Sequence, residues 1–161
     1  MQLIDSRRDR WQLADSDIPN ALPPLHAHLV LSIEQWRAVR ELWPAGLPVG
    51  LRLDNTFDVA ELLADLPRLS LIALNFPKWT DGRAYSQARL LRGRHRFAGE
   101  LRAIGEVLVD MMPLLQRTGF DAAVLRADQD SESARRTLRF FDGHYQGDLV
   151  TPAPLFQREA A

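Results

Sequence analysis

The sequence predicts an α/β protein, a mainly parallel sheet of about five βα units forming a partial (β/α) barrel or an open doubly wound sheet. Three observations predict it. Short apolar runs alternate along the chain with patterns of helical spacing. One run, Leu69 to Phe76, is continuously apolar, as a strand covered on both faces requires. Polar residues then gather where strands hand over to helices, the place where parallel α/β proteins put binding groups.

The elements follow in order. Residues 1–24 read as an irregular arm ending in Pro19 and Pro23-Pro24, with Trp11 and Leu13 available to pin it to the body or to meet a partner chain. Residues 25–161 read as a single α/β domain. His28 to Leu31 is a short strand, and Ser32-Ile-Glu-Gln35 has the capping-box form of a helix start. Ile33, Trp36, Val39 and Trp43 keep helical spacing until Pro44 and Gly46 stop it. Pro48 to Leu53 is a second strand, and Val59 to Leu66 a helix closed by Pro67. Leu69 to Phe76 is the third strand, followed by a polar loop and a helix running through Leu90, Leu91 and Arg92. Gly99 to Ile104 makes a fourth strand and Val107 to Arg117 a helix, in which Pro113 marks a kink or a late start. Asp121 to Arg126 is a fifth strand, and Ser131 to Phe141 a last helix with Ser131 as its cap. The tail is extended and packs through Leu155 and Phe156.

Composition narrows the function. The chain has 161 residues, 46% hydrophobic and 25% charged, enough for one domain that buries roughly 70% of its unfolded surface. A formal net charge of -1 argues against nucleic-acid binding. With no cysteine, thiol nucleophiles, thiolate metal sites and iron–sulfur ligation are excluded. Neither a P-loop nor a G-x-G-x-x-G string is present, and no cofactor is expected. No apolar run approaches the ~20 residues that span a bilayer, and no signal-peptide core opens the chain, so no membrane partner is expected and the cytoplasm is the default compartment.

Within this nearly neutral chain, positive charge concentrates in Lys78, Arg83, Arg89, Arg92, Arg94, Arg96 and Arg102, against only Asp81 and Glu100 in the same stretch. Two readings of the strand ends stay open. Lys78, Asp81, Gly82, Arg83 and Glu106 can form an anion site, with Asp81 or Glu106 as candidate acid/base groups and Gly82 letting the backbone approach a ligand. The same residues, with Asp54, Asp128 and Asp130, can be helix-start chemistry, because acids favour first turns and caps. Arg89, Arg92, Arg94 and Arg96 on or after one helix offer a face for an acidic partner, or an ordinary solvated face. His26 and His28 have a spacing seen in metal sites, but without a third ligand no metal is assigned. Ser86 lacks a nucleophile elbow, which disfavours a hydrolase.

The string Asp81-Gly-Arg-Ala-Tyr-Ser-Gln-Ala-Arg-Leu-Leu-Arg92, then Gly99-Glu-Leu-Arg-Ala-Ile-Gly105, then Gly119-Phe-Asp121, resembles the bacterial domain of unknown function family 934. The likeness runs on to Tyr145-Gln146 and Pro152 to Phe156. It implies genes beside assimilatory sulfite reductase and adenylylsulfate-type reductases, and a loose oxidoreductase label. The function it implies is an accessory protein that binds a reductase or its electron donor. The alternative is a small enzyme or sensor holding sulfite or a phosphate group at the strand ends. Two departures stand out: Ala84 where members usually have a second Gly, and Gly105-Glu106…Asp110-Met111 where members have Gly-Asp…Asp-Gln. Whether the chain is catalytic is left open, and the Trp-bearing arm and tail allow a homo-oligomer.

Overall fold

The computed structural model describes residues 1–5, 8–14, 23–140, 144–149 and 151–157. Among these residues the sheet has seven parallel strands, curled into an open half-barrel, rather than the five or so expected. They are β1 (Gln2–Leu3), β2 (Gln12–Leu13), β3 (Leu29–Leu31), β4 (Val49–Leu53), β5 (Leu71–Phe76), β6 (Glu100–Gly105) and β7 (Ala122–Ala123), in the spatial order β1-β7-β6-β5-β4-β3-β2. Four α-helices follow strands: α1 (Ile33–Val39), α2 (Arg83–Arg89), α3 (Met112–Arg117) and α4 (Ser131–Thr137). Among the described residues no helix is long and apolar enough to cross a membrane.

The two extra strands come from the segment expected to be an irregular arm. Each is two residues long, too short for a two-residue period to show. Gln2 pairs with Ala122 at one edge of the sheet, and Gln12 with Leu29 at the other. The connection between them therefore runs from edge to edge.

Alternation along the strands sorts the side chains into two layers. Leu29, Leu31, Val49, Leu51, Leu53, Ile72, Leu74, Phe76, Leu101 and Ala103 join one cluster with helix residues such as Trp36, Ala84, Leu91, Met112 and Leu115. The opposite, concave face carries Val30, Leu71, Ala73 and Ile104, which pack with Trp11 of the arm. Gly50 belongs to that face by register with Val30 and Leu71. A Cβ there would come within 2.9 Å of Leu71 Cδ2 and 3.3 Å of Trp11 Cζ3, so a missing side chain makes room for the indole.

Arg102 also lies on the concave face, opposite Ala73 in register, and is buried. Its Nε donates to Glu100 Oε1 at 2.7 Å, and its Nη1 donates to Asp9 of the arm. Asp9 Oδ1 in turn accepts the Trp11 backbone N–H at 3.1 Å. The arm is thus clamped to the middle of the sheet by a buried ion pair.

Several local expectations change. The span Val59 to Leu66 is not an α-helix. It forms two 3₁₀ turns, Val59–Leu62 and Leu66–Arg68, because Asp58 caps the first and Pro67 opens the second rather than closing a helix. The capping box at Ser32 and Gln35 forms as read. Pro113 sits in the first turn of α3, where its missing N–H is harmless, so it marks a late start. Asp130, not Ser131, caps α4, its carboxylate accepting from the Glu132 and Ser133 amides. In the tail, Phe156 is exposed and meets only Tyr145, at 5.5 Å, among the aromatic contacts described.

Removing Asp9 leaves Arg102 buried with Glu100 alone. Losing one partner of a buried pair costs about 3–5 kcal/mol, and the retained Glu100 brings the expected loss for Asp9→Ala to roughly 2–3 kcal/mol. Urea denaturation measures it, and adding Arg102→Met should restore much of the loss. A change under about 0.5 kcal/mol, typical of exposed pairs, would mean the arm is not clamped this way.

Candidate functional site

The carboxyl ends of β4, β5, β6 and β7 form the rim on which the sequence-predicted site residues fall. β5 ends at Phe76, and the loop from Pro77 leads to α2 at Arg83. Lys78 is exposed on that loop. Asp81 and Arg83, two residues apart, turn towards each other. Arg83 Nε donates to Asp81 Oδ1 at 3.0 Å, Nη2 to Oδ2 at 2.6 Å, and the Arg83 backbone N–H to Oδ1 at 3.2 Å. These hydrogen bonds hold the Asp81 carboxyl well below the usual carboxylate range, with Asn55 adding to the effect, and they raise the guanidinium. An acid held that far down stays ionised through the neutral range and gives no proton. Gly82, between them, has φ -83°, a backbone any residue adopts, and a Cβ there would make an ordinary contact with Tyr85 Cδ2 at 3.7 Å.

Glu106 sits after β6 and pairs across to the β7 loop. Arg126 Nη1 donates to Glu106 Oε2 at 2.7 Å, while its Nε and Nη2 grip Asp128 at 2.6 and 2.7 Å. The Arg126 bonds lower the Asp128 carboxyl to about 2, and Asp128, then Glu106, raise the guanidinium. The rim therefore holds two separate ion-paired groups, the neutral pair Asp81–Arg83 and the triad Glu106–Arg126–Asp128 with one carboxylate in excess. Two cavities open near the strand ends, one of 600 Å³ lined partly by Arg37, Arg52, Asp54 and Asp58, the other of 370 Å³ lined partly by Asp5, Arg126 and Gln129. Neither has Lys78, Asp81, Arg83 or Glu106 in its lining.

At the same strand ends lies a set of amides, among them Gln87, which sequence reasoning passed over. Gln87, buried on α2, donates to the Asp54 and Phe57 carbonyls, both at 2.9 Å, and so fixes the loop after β4. Asn75 Nδ2 lies 3.5 Å from Asp54 Oδ1. At Gly105, φ +91°, a Cβ would fall 2.5 Å from the Phe76 carbonyl oxygen and 2.7 Å from Asn75 Oδ1, so only glycine lets β6 leave the sheet here. The sequence sign of this set was the polar residues Asp54 and Asn55 after β4 and Asn75 at the end of β5, which alone do not separate a brace from a ligand.

The basic helix divides. Arg92 is turned into the fold: it donates to the Gly119 carbonyl at 3.0 Å, to the Phe97 carbonyl and to Asp121, and lies 5.6 Å over the Phe97 ring. Asp121 also accepts the Leu101 amide at 2.8 Å, so Arg92 ties α2 to β6 and to the approach to β7. Arg92 is part of the expected docking face, and its guanidinium is already engaged within the fold. The helix continues beyond α2 as a π-turn, Leu90–Arg94, and Arg89, Arg94 and Arg96 are exposed. His28 lies outside β3 at φ 65°, edge-on to Trp11 at 5.1 Å, so the strand spacing assumed for His26 and His28 does not arise. Among the described residues no three His, Cys, Asp or Glu side chains gather as a metal site would need.

A family model described as "Bacterial protein of unknown function (DUF934)" matches residues 50–156. The chain belongs to this family. Searches of curated proteins and of solved structures find no match. The DUF934 match spans β4 to the tail and takes in both rim groups and Gln87, while the Asp9 arm lies outside it. In structural terms much of the central DUF934 string is packing chemistry. Ala84 and Ala88 are fully buried, Tyr85 meets Phe76 at 5.0 Å, Gln87 braces a loop, and Arg92 ties three elements.

Burial pushes the Tyr85 phenol up to about 12. Between the ordinary value near 10 and that raised value, the unfolded chain gives up a proton that the folded chain keeps, so stability falls as pH rises through this window. Tyr85→Phe should match the wild type near neutrality apart from a constant offset and lose this part of the alkaline decline. Urea midpoints from pH 8 to about 11.5 check it; parallel curves for the two proteins would show that Tyr85 titrates freely.

Proposed function

We propose that this chain is a non-catalytic accessory protein of assimilatory sulfite and sulfate reduction that docks a reductase or its electron donor. One observation carries the reading: the candidate acid/base groups at the strand-end rim are held in ion pairs, while Arg89, Arg94 and Arg96 stay at the surface along and just after one helical segment. An acid/base catalyst needs a group poised near the working pH, and Asp81 is displaced in the opposite direction. Exposed Leu90, next to Arg89, supplies apolar surface within the cationic segment, a combination suited to an acidic partner. The sulfur assignment rests on the genomic setting that the family resemblance implies.

The alternative, an oxyanion held by Lys78 and Arg83, has less support because the Arg83 guanidinium is already bidentate on Asp81. An oxyanion there would have to displace a carboxylate.

Pull-down of the tagged protein from its native host, grown on sulfate as sole sulfur source, tests the proposal. Sulfite reductase or an electron donor should be enriched. The triple variant Arg89→Glu/Arg94→Glu/Arg96→Glu should weaken that capture roughly tenfold, more at low salt, as lost rim charges do. Arg92→Glu should instead destabilise the fold. Capture unaffected by the triple variant would put the docking face elsewhere; no enrichment of a reductase or donor would overturn the accessory role.

A further inference from the structure

Beyond this docking role, we propose that the 600 Å³ cavity at the carboxyl ends of β3 and β4 is a binding site for a basic α-amino acid, its carboxylate on Arg52 and its α-ammonium on Asp54. Parallel α/β sheets put ligands outside the carboxyl ends of their strands, and small-molecule sites commonly enclose about 300–1,000 Å³.

Arg52 closes β4 with Leu53, and Asp54 follows it, so the two charged residues are two apart and share a face. Arg52 lies opposite Ala73 in register, which places it on the concave side of the sheet. The same spacing recurs in Asp81–Arg83, Glu100–Arg102 and Arg126–Asp128, and each of those pairs closes, at 2.6, 2.7 and 2.6 Å. Arg52 and Asp54 do not close. Both are exposed. Among the described residues Arg52 has no hydrogen bond or ion pair, and the Asp54 carboxylate has only the Asn75 amide, at 3.5 Å. Glu100–Arg102 shows that a strand permits the pairing, so β4 holds a guanidinium and a carboxylate side by side with their hydrogen-bonding capacity unused. An α-amino acid carries the complementary groups on one carbon and can bridge the two with charge-assisted hydrogen bonds.

The rest of the lining selects the side chain. Arg37 and Glu61 pair with each other at 2.7 Å. The carboxylates of Glu34 and Asp58 hydrogen-bond to neutral donors, the Ser32 hydroxyl at 2.7 Å and the Ala60 amide at 2.9 Å, and keep their charge. The Ser32 hydroxyl in particular holds the Glu34 carboxyl below the usual carboxylate range. With Asp54 they outnumber Arg52, so a simple anion is disfavoured and a second positive charge on the ligand is favoured. Phe57 gives an apolar wall for the methylenes between the two cationic groups.

Amide NMR titration of the full chain with L-lysine and L-arginine tests the site. Three relatives of lysine each lack one group: cadaverine the carboxylate, ε-aminocaproate the α-ammonium and norleucine the side-chain ammonium. Lysine or arginine should shift the amides of Arg52, Asp54 and Phe57, and each relative should bind about tenfold more weakly than lysine, the worth of one charge-assisted contact. Arg52→Gln should reduce lysine to the level of cadaverine and leave cadaverine unchanged. Asp54→Asn should reduce lysine to the level of ε-aminocaproate and leave that compound unchanged. Both positions are exposed, so both variants should melt like the wild type; if Asp54→Asn does not, Arg52→Gln decides. Cadaverine binding as tightly as lysine would overturn the proposal, because the cavity would then be an acidic surface that gathers cations. Shifts centred elsewhere, or none from either amino acid at millimolar concentration, would overturn it as well.

Discussion

A parallel sheet buried on one face only is unstable as it stands, and the rest of this structure depends on how the second face is covered. Helices follow the strands on one side. On the other, the N-terminal arm leaves β1 at one edge and joins β2 at the opposite edge, crossing the concave face between them. Arg102 of β6 anchors it through Asp9, and Trp11 lies against Gly50 and Leu71. A buried guanidinium is a poor way to gain stability compared with a well-packed apolar side chain. Its value here is in position: it fixes which part of the arm lies on the sheet, and so which apolar residues of the concave face it covers.

The rim works by the opposite logic. Its charges are partly exposed, and they pair locally, Asp81 with Arg83 and both Glu106 and Asp128 with Arg126. Pairs of this kind contribute little to stability in water. They do hold the Asp81 and Asp128 carboxyls ionised and the Arg83 and Arg126 guanidiniums occupied, which leaves Lys78 and the surface cations Arg89, Arg94 and Arg96 as the available electrostatic feature of the basic stretch. Arg92 shows how easily such a feature is misread, since it is one turn from Arg89 but belongs to the interior.

β5 was legible because it is a nearly continuous apolar run ended by Pro77, and the Ser32 capping box because its chemistry is local. The elements that differed depend on distant partners. Two-residue strands such as β1 and β2 carry no period of their own and exist through pairing with β7 and β3. Val59 to Leu66 has helical composition, yet Asp58 and Pro67 each set a separate 3₁₀ start. At the candidate site, the residue types at the strand ends were legible and their pairing was not. Asp81 and Arg83 two apart, or Arg126 and Asp128, read equally well as ligands for something else. Arg102 and Glu100, at alternate positions in an apolar strand, were the one sequence mark of a face that helices do not cover. They were read only as part of a charge cluster.

Backbone amide hydrogen exchange on the intact chain tests the central claim, that the arm is an integral part of the sheet. The amides of Gln2, Ile4, Gln12 and Ala14 donate to carbonyls of Asp121, Ala123, His28 and Val30 respectively. All four should exchange slowly, with protection lost together when Asp9 is replaced by Ala. Fast exchange at these four amides, beside protected amides in β5 and β6, would contradict the account and leave the concave face uncovered.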